Sequence, residues 1–501
     1  MSARVLLINP RITSTRRARF PLSLLALAGA LEAQGIDSVI LDGNKEHDLA
    51  GALRRGLAAA PCTAVGVTVM GGPQVKTAIE VSRTVRAAAP QVPIIWGGYF
   101  PTLYPAAALN APYVDYLVRG QGEETLAQLV RTLRTCAAAA QLAAIDGLSW
   151  RDRESVVHNR RRAFTPPGPA RLPYERLADP RQYLVRTFMG ARTASYEAAL
   201  GCRFRCTFCG VAAMFEGDTA LPAPQRLERD LRFLRDEVGA DSIQFYDHNF
   251  FDREEDMLPL LEVLARLELP WWCYARADAL LNLSPAGWAL VRRSRLRMAY
   301  IGAETPNDQM LRAIRKGTRA DQTLAVAELC ARQGVIPELS FMVAPPRDPE
   351  AETERTFAFI RRVKQVNPQA EIIVYVYTPL PPESVPQAVR ARVPPLRDLS
   401  GEPVRFPATP DEWTAQRWVQ YACHADAPWI SERLRRRIRD FVTVLHCRFP
   451  TLQDVRSPSW AKSALRAAAA WRYRFGIYDR PWELEVSRRL VQLVDPRVSS
   501  I

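Results

Sequence analysis

The stretch Gly201-Cys-Arg-Phe-Arg-Cys-Thr-Phe-Cys-Gly210 places three thiols, Cys202, Cys206 and Cys209, on one short loop. A Cys-x3-Cys-x2-Cys spacing suits three irons of a 4Fe–4S cluster. A cluster held wholly by protein takes four cysteines. Three leave one iron open, and an open iron is a place for chemistry. Two plainer readings stand beside this one: unrelated cysteines, or part of a zinc site. Zinc sites pair Cys-x2-Cys with a second pair of Cys or His ligands downstream. The remaining cysteines, at 62, 136, 273, 330, 423 and 447, are scattered and form no such pair. Gly201 and Gly210 flank the loop, which suits a backbone wrapped closely around an inorganic core.

Outward from this loop, residues 191–385 alternate strand and helix patterns. The strand candidates are Ser195–Leu200, Ser242–Asp247, Trp271–Ala275, Met298–Ala303, Ile336–Val343 and Glu371–Tyr377. Helical stretches lie between them: Gln225–Val238, Arg253–Leu267, Pro285–Arg295, Ala320–Gln333 and Glu350–Val366. Six such units predict a partial (β/α)6 barrel, whose chemistry sits at the carboxyl ends of the strands. The cysteine loop follows the first strand. Gln244-Phe-Tyr-Asp-His-Asn-Phe250 ends the second, and Tyr274-Ala-Arg-Ala-Asp278 follows the third. Tyr300-Ile-Gly-Ala-Glu-Thr305 closes the fourth, and Tyr377-Thr-Pro-Leu-Pro381 ends the sixth. His248 stands alone and reads as solvent-facing or satisfied rather than catalytic.

Residues 1–135 alternate in the same way. Strand patterns at Val5–Asn9, Ser38–Leu41, Ala64–Val69, Pro93–Trp96 and Tyr113–Val118 are separated by helical ones, and Gly35 ends the first helix. This predicts an α/β domain of Rossmann-like type, a parallel sheet covered on both faces. Glycine loops follow the later strands, at Gly71-Gly72, Gly97-Gly98 and Gly120-Gln-Gly122, where open α/β sheets bind ligands. Residues 136–190 read as a hairpin and a proline-rich linker, Thr165-Pro-Pro-Gly-Pro-Ala-Arg-Leu-Pro173. Residues 386–501 read as a mainly helical C-terminal domain carrying six of the eleven tryptophans.

The barrel motifs resemble those of radical S-adenosylmethionine (radical SAM) enzymes. In that family the open iron chelates the amino and carboxylate groups of S-adenosylmethionine. The resemblance places Phe208 beside the adenine, although a core-filling aromatic would look the same. It sets Asp247 and Asn249 against the methionine amino group, Arg276 near a carboxylate or ribose, and Glu304 near the cofactor's polar groups. Many relatives carry Gly-x-Pro-Gly-Glu-Thr after the fifth strand. This chain has Met342-Val-Ala-Pro-Pro-Arg-Asp-Pro-Glu-Ala-Glu-Thr353 there, so no site role transfers to it.

With the N-terminal domain the chain resembles the cobalamin-binding branch, which includes the anaerobic cyclase and cobalamin-dependent methylases. The matching stretches are Val5–Pro10, Gly97-Gly-Tyr-Phe-Pro-Thr102 and Val114–Thr125. The implied cobalamin contacts are Asn9, Thr68, Gly97, Gly98, Tyr99, Gly120 and Glu123. The histidine-ligating motif Asp-x-His-x-x-Gly is absent: Asp42 and His47 are five apart, and residue 50 is Ala. The resemblance therefore implies cobalamin without a histidine lower ligand, one 4Fe–4S cluster and S-adenosylmethionine. It implies methyl transfer to an unactivated carbon through a 5′-deoxyadenosyl radical and methylcobalamin. Oxidation, cyclisation or ring rearrangement with the same cofactors is the alternative. A tRNA methylthiotransferase would need three further cluster cysteines upstream, and only Cys62 and Cys136 precede the motif.

At 501 residues the chain is long enough for about three domains. Its net charge of +14 is almost all arginine, with lysine only at 45, 76, 316, 364 and 462. The arginines are spread out and no nucleic-acid motif accompanies them, which argues against a nucleic-acid partner. No run is long enough to span a bilayer, and no signal peptide is visible, so a cytoplasmic setting with reduced thiols is expected. The expected partners are a small-molecule substrate of lipophilic or polycyclic kind and an electron donor such as flavodoxin or ferredoxin. Segments such as Ala470-Trp-Arg-Tyr-Arg-Phe-Gly-Ile-Tyr478 mix aromatic and basic residues. They suit helices that close the barrel mouth, a grip on the substrate, or contact with a membrane surface.

Overall fold

Two sheets organise the computed structural model, which describes residues 4–135, 138–152, 155–168, 170–381, 395–455 and 459–491. The first contains β1 (Arg4–Asn9), β2 (Asp37–Asp42), β3 (Ala64–Thr68), β4 (Ile94–Gly97), β5 (Tyr116–Val118), β6 (Leu148–Asp152) and β7 (Ser155–His158). Their order is β2-β1-β3-β4-β5-β6-β7. β1 through β5 pair in parallel, and β6 and β7 add antiparallel at the edge. The hairpin, expected within a linker, is thus part of this sheet. Leu117 pairs with Ser149, which extends the sheet through backbone bonds that periodicity does not reveal.

β1 shows why its sequence is an unbroken apolar run. Leu6 and Ile8 join the core on one face of the sheet, and Val5 and Leu7 the core on the other. Alternate residues of a strand point to opposite faces, so a strand covered on both sides is apolar throughout. Each of these side chains is fully buried, and burial contributes roughly 1.5–3 kcal/mol apiece. The helices Leu22–Glu32, Leu49–Ala59, Pro73–Ala88 and Glu123–Leu133 supply the cover. The strand order reverses between β1 and β3, which opens a crevice at their carboxyl ends.

The chain then forms β8 (Thr193–Tyr196) and a two-residue ribbon, β9 (Leu200–Gly201) with β10 (Thr219–Ala220). β11 (Ser242–Phe245), β12 (Trp271–Ala275), β13 (Leu296–Glu304), β14 (Ile336–Val343) and β15 (Glu371–Val376) follow. The second sheet runs β15-β14-β13-β12-β11-β8, parallel throughout, with β8 and β15 at its edges. This is the partial six-stranded barrel. The first barrel strand differs from the expected Ser195–Leu200. It ends at Tyr196, because the amides of Ala198 and Ala199 turn aside to the carboxylate of Asp247.

Beyond the barrel the chain is helical: Pro410–Trp413, Gln416–Ala422, Glu432–Arg448, Ser459–Phe475 and Trp482–Val491. Trp413 packs on Phe100 and Tyr104 of the first domain. Phe441 stacks on Phe357 at 3.7 Å, which fixes the long helix Glu432–Arg448 to the barrel's outer layer. Among the described residues no helix is long and apolar enough to cross a membrane.

Candidate active site

The cysteine loop is pinned at both ends. Cys202 N–H donates to Asp218 O at 3.1 Å, and Cys209 N–H to Cys206 O at 3.2 Å. Gly201 has φ +77°, and a Cβ there would fall 2.2 Å from Asp218 O, so no side chain fits. The helix Gly210–Phe215 begins immediately after Cys209. Burial pushes all three thiols upward, Cys209 to about 11, and Cys206 raises both of the others. Lys316 and then Arg276 pull Cys206 down. Three thiolates so close need a cationic partner, and an iron cluster provides one. Among the described residues no three His, Cys, Asp or Glu side chains converge as ligands of a single ion would. A cubane instead spreads its thiolates around separate irons.

A cavity of about 490 Å3 opens over this loop. Cys202, Cys206, Phe208, Cys209, Asn249, Arg276 and Glu304 all line it. Asn249 is 7 % exposed, and its Oδ1 is a buried acceptor without a hydrogen-bond partner. Such an atom suits a cationic amine. Phe208 packs against Leu311, Ile314 and Met342 and presents its ring at the cavity wall. Arg276 donates through Nε and Nη2 to both oxygens of Asp278, and through Nη2 to Lys316 O at 2.7 Å. Its guanidinium lies 3.5 Å over the ring of Phe204.

Asp247 does not join this group, contrary to its expected place beside Asn249. It is wholly buried and absent from the cavity wall. Its Oδ1 accepts from Ala198 and Ala199 N–H. Burial raises the carboxyl to about 8 in spite of those two bonds. Asp247 braces the turn that leads into the cysteine loop.

Glu304 lies in the cavity wall but is already paired. Lys316 Nζ donates to Glu304 Oε1 at 2.6 Å, and both side chains are nearly buried. Against the pull of burial, Glu304 and Cys206 hold the Lys316 ammonium above its usual value. Glu304 has φ +61°, at a register shift of β13 against β14. Strained backbone of this kind clusters at functional sites. A Cβ at Gly302 would lie 2.1 Å from Glu304 Oε1 and 2.5 Å from Lys316 Nζ, so the pair needs that glycine.

A second cavity, of about 250 Å3, lies between the strands β3, β4 and β5 of the first sheet and the helices Leu22–Glu32 and Glu123–Leu133. Thr68, Gly97, Gly98, Tyr99, Gly120 and Glu123 line it, together with Leu22, Leu24 and Leu27. Gly98 has φ +97°, and a Cβ there would come within 3.1 Å of Thr68 Oγ1 and Val69 O. Packing against the end of β3 and the positive φ therefore both require glycine at this point of the cavity wall. Asn9 is absent from both cavity walls. Its amide donates to Asp42 Oδ1 at 2.9 Å and accepts from Gln74 Nε2 at 3.0 Å. That inward fastening of the strand end replaces the cofactor contact expected of it.

The two cavities adjoin: Met70, Tyr99 and His248 line both. His248 is enclosed rather than solvent-facing, and burial lowers it to about 4. Its Nδ1 accepts from Gly201 N–H at 3.2 Å, so the ring proton sits on Nε2, 3.3 Å from Tyr99 Oη. Glu197, 3.9 Å from His248 Nδ1, is raised to about 8 by burial and then by Asp247 and Glu123. At neutral pH that contact joins two neutral groups rather than an ion pair. Lys316, Glu197, Tyr274 and Tyr300 also line the cavities and escape a reading by motif. One signal for Lys316 was available: lysine is rare among the 67 basic residues of this chain.

Family comparison matches the B12 binding domain over residues 13–130 and the Radical SAM superfamily over residues 196–360. The chain therefore joins a B12-binding domain to a radical SAM domain. Among curated relatives, it is 24% identical over 374 residues to the anaerobic magnesium-protoporphyrin IX monomethyl ester cyclase of Rubrivivax gelatinosus, covering 72% of this chain and 65% of that one. It is 23% identical over 322 residues to the cytidylyl-2-hydroxyethylphosphonate methyltransferase of Streptomyces wedmorensis, covering 54% and 59%. The chain spans 54–65% of the length of the curated relatives that match first. Among solved structures, the radical SAM methyltransferase TsrM of Kitasatospora setae, with tryptophan and a SAM analogue bound, superposes with a TM-score of 0.63. That match has 20% identity and covers 82% of each chain. The cobalamin-dependent radical SAM enzyme OxsB gives a TM-score of 0.65 at 16% identity, covering 99% of this chain and 76% of that one. At these identities the structures speak to the fold.

Proposed function

We propose that the protein is a cobalamin-dependent radical SAM methyltransferase acting on a small-molecule substrate. The observation that carries this reading is the shared wall of Met70, Tyr99 and His248 between a cavity with three thiols and a glycine-lined cavity. A substrate in the first cavity would face whatever the second one holds. When bound, the cluster supplies one electron for S-adenosylmethionine cleavage and the corrinoid supplies the methyl group. Cys202, Cys206 and Cys209 would hold the cluster. Asn249 would accept from the methionine amine, and Arg276 with Lys316 would offer positive charge to its carboxylate. Thr68, Gly97, Gly98, Tyr99, Gly120 and Glu123 would cradle the corrinoid. The only histidine in the second cavity's wall is His248, and it comes from the barrel side. His47 is exposed and lines neither cavity. This supports a corrinoid without a histidine lower ligand. Tyr274, Tyr300, Tyr375 and Tyr421 make much of the first cavity aromatic, which suits a lipophilic or polycyclic substrate. The net charge of +14 suits an acidic one-electron carrier such as flavodoxin or ferredoxin.

The test needs no substrate. Anaerobic reconstitution with iron, sulfide and hydroxocobalamin should leave about one corrinoid per chain. After titanium(III) citrate has reduced the bound corrinoid by two electrons to cob(I)alamin, methyl-labelled S-adenosylmethionine should pass its label to the cobalt and leave S-adenosylhomocysteine. A protein that retains iron but never a corrinoid would refute the proposal. The likeness to the cyclase over 72% of the chain favours a second reading, in which the same groups serve ring closure. Product mass separates the two, since only methyl transfer adds a CH2 unit.

A further inference from the structure

The helix Ser459–Phe475 has apolar residues on two faces. Ala461, Leu465 and Ala469 are buried against the rest of the protein. On the solvent side Trp460, Ala464, Ala467, Ala468, Trp471 and Phe475 are all exposed. They fall at i, i+4, i+7, i+8, i+11 and i+15, a single stripe along an α-helix. Trp460 is 73% exposed, Trp471 48% and Phe475 70%. The next helix, Trp482–Val491, adds Trp482 at 70% and Val486 at 53%, one turn apart. Among the described residues, six of the eleven exposed large hydrophobic side chains lie between Trp460 and Val486 in the sequence, a concentration in one region of the chain. None of these residues lines either cavity.

The charge on the striped helix itself has one sign. The helix Ser459–Phe475 carries Lys462, Arg466, Arg472 and Arg474 and no acid. Arg472 is tied to Glu483, and Lys462 lies against Asp454. Arg466 and Arg474 are exposed and make no ion pair among the described residues. The same holds for Arg433, Arg436 and Arg439 on the adjoining helix Glu432–Arg448. Of the nearby acids, Asp479 is held by Arg437, Asp440 is buried and accepts from Arg480 N–H, and Glu485 makes no ion pair among the described residues.

We propose that this face rests on an anionic lipid bilayer. Tryptophan and phenylalanine favour the zone between headgroups and acyl chains, and flanking arginines meet lipid phosphates. A second copy of the chain is the competing occupant. Two such faces brought together would oppose arginine to arginine, whereas an anionic surface neutralises them. Attachment would be peripheral, since no described helix is fit to span.

The experiment uses the full chain and vesicles of phosphatidylcholine with or without phosphatidylglycerol. Sedimentation with the anionic vesicles should exceed that with pure phosphatidylcholine at least about tenfold and fall with salt. Brominated acyl chains should quench tryptophan fluorescence. The variant Trp460→Ser/Trp471→Ser/Trp482→Ser should lose about tenfold or more in partitioning, with circular dichroism and iron loading unchanged. Failure to bind anionic vesicles, or equal binding by the variant, would overturn the proposal. So would a dimer that dissociates in the variant, or tryptophans shielded from acrylamide before lipid is added. The readout needs neither cluster nor corrinoid, so it stands apart from the proposed activity.

Discussion

The two sheets solve the same burial problem and place their sites differently. In the first, the strand order reverses between β1 and β3 and the sheet stays open. Its cavity runs from the carboxyl ends of β3 and β4 in along the sheet face, and Gly66, Gly97, Gly98, Gly120 and Gly122 bring bare backbone to its wall. In the second, the strands add in chain order without a reversal, and the sheet curls. Its cavity is lined by side chains carried on the strands and the loops after them: Asn249, Arg276, Glu304, Tyr274 and Tyr300. An open sheet offers backbone to a large flat ligand. A curled one surrounds a smaller ligand with charge and hydrogen bonds.

Breaking one site should leave the other intact. The largest effect is expected from Cys206→Ala, or from the same change at Cys202 or Cys209. Iron content and S-adenosylmethionine cleavage should fall to background, while corrinoid retention persists. Cleavage that survives would remove the cysteine loop from the chemistry. The reciprocal change is Gly97→Val. A Cβ at Gly97 meets Val118 O at an ordinary 3.6 Å, so the backbone tolerates it while the side chain fills the second cavity. Corrinoid affinity should drop at least about tenfold, worth roughly 1.4 kcal/mol, with iron loading unchanged. Loss of both together would mean that the two sites fold as one unit.

The remaining effect concerns stability. At the base of the barrel, Glu338 Oε2 accepts from Trp272 Nε1 at 3.0 Å, and Oε1 accepts from Gln453. Burial raises this carboxyl from 4.5 to about 8, with Glu371 adding to the rise. A raised carboxyl favours the fold while it is protonated. Its stabilisation is complete below about pH 4.5 and is lost as the pH climbs through 8. Glu338→Gln does not titrate; its amide oxygen can keep the bond from Trp272 Nε1, and its NH2 can donate to Gln453 once that amide flips. Relative to it, the natural chain should lose on the order of 4 kcal/mol between those limits, read from denaturant melts at each pH. Parallel profiles would show that Glu338 is not held protonated.

Much of the barrel was legible because its signals are local. Trp271–Ala275, Ile336–Val343 and the helix Ala320–Gln333 have the limits that apolar periodicity predicts. The cysteine spacing and the glycine loops were equally plain. The first barrel strand was misplaced, because Ser195–Leu200 reads as apolar whether it is strand or turn. What ends it is Asp247, almost fifty residues away in sequence. The hairpin itself was legible, but its pairing with β5 was not, because the choice of partner strand leaves no periodic mark.

The amino-acid sequence by itself determined two alternating α/β regions, a loop of three thiols, and a C-terminal region rich in tryptophan and arginine. Each is a matter of residue type and short spacing. Only the tertiary structure decided which groups meet. It set Lys316 on Glu304, turned Asp247 and Asn9 away from the cavities, and brought Tyr99 to His248 across 149 residues. It also left Trp460, Trp471 and Trp482 facing outward, where their composition alone would suit a core equally well. Helical and strand periods act over a few residues, whereas these contacts depend on how two sheets pack, which no local pattern encodes.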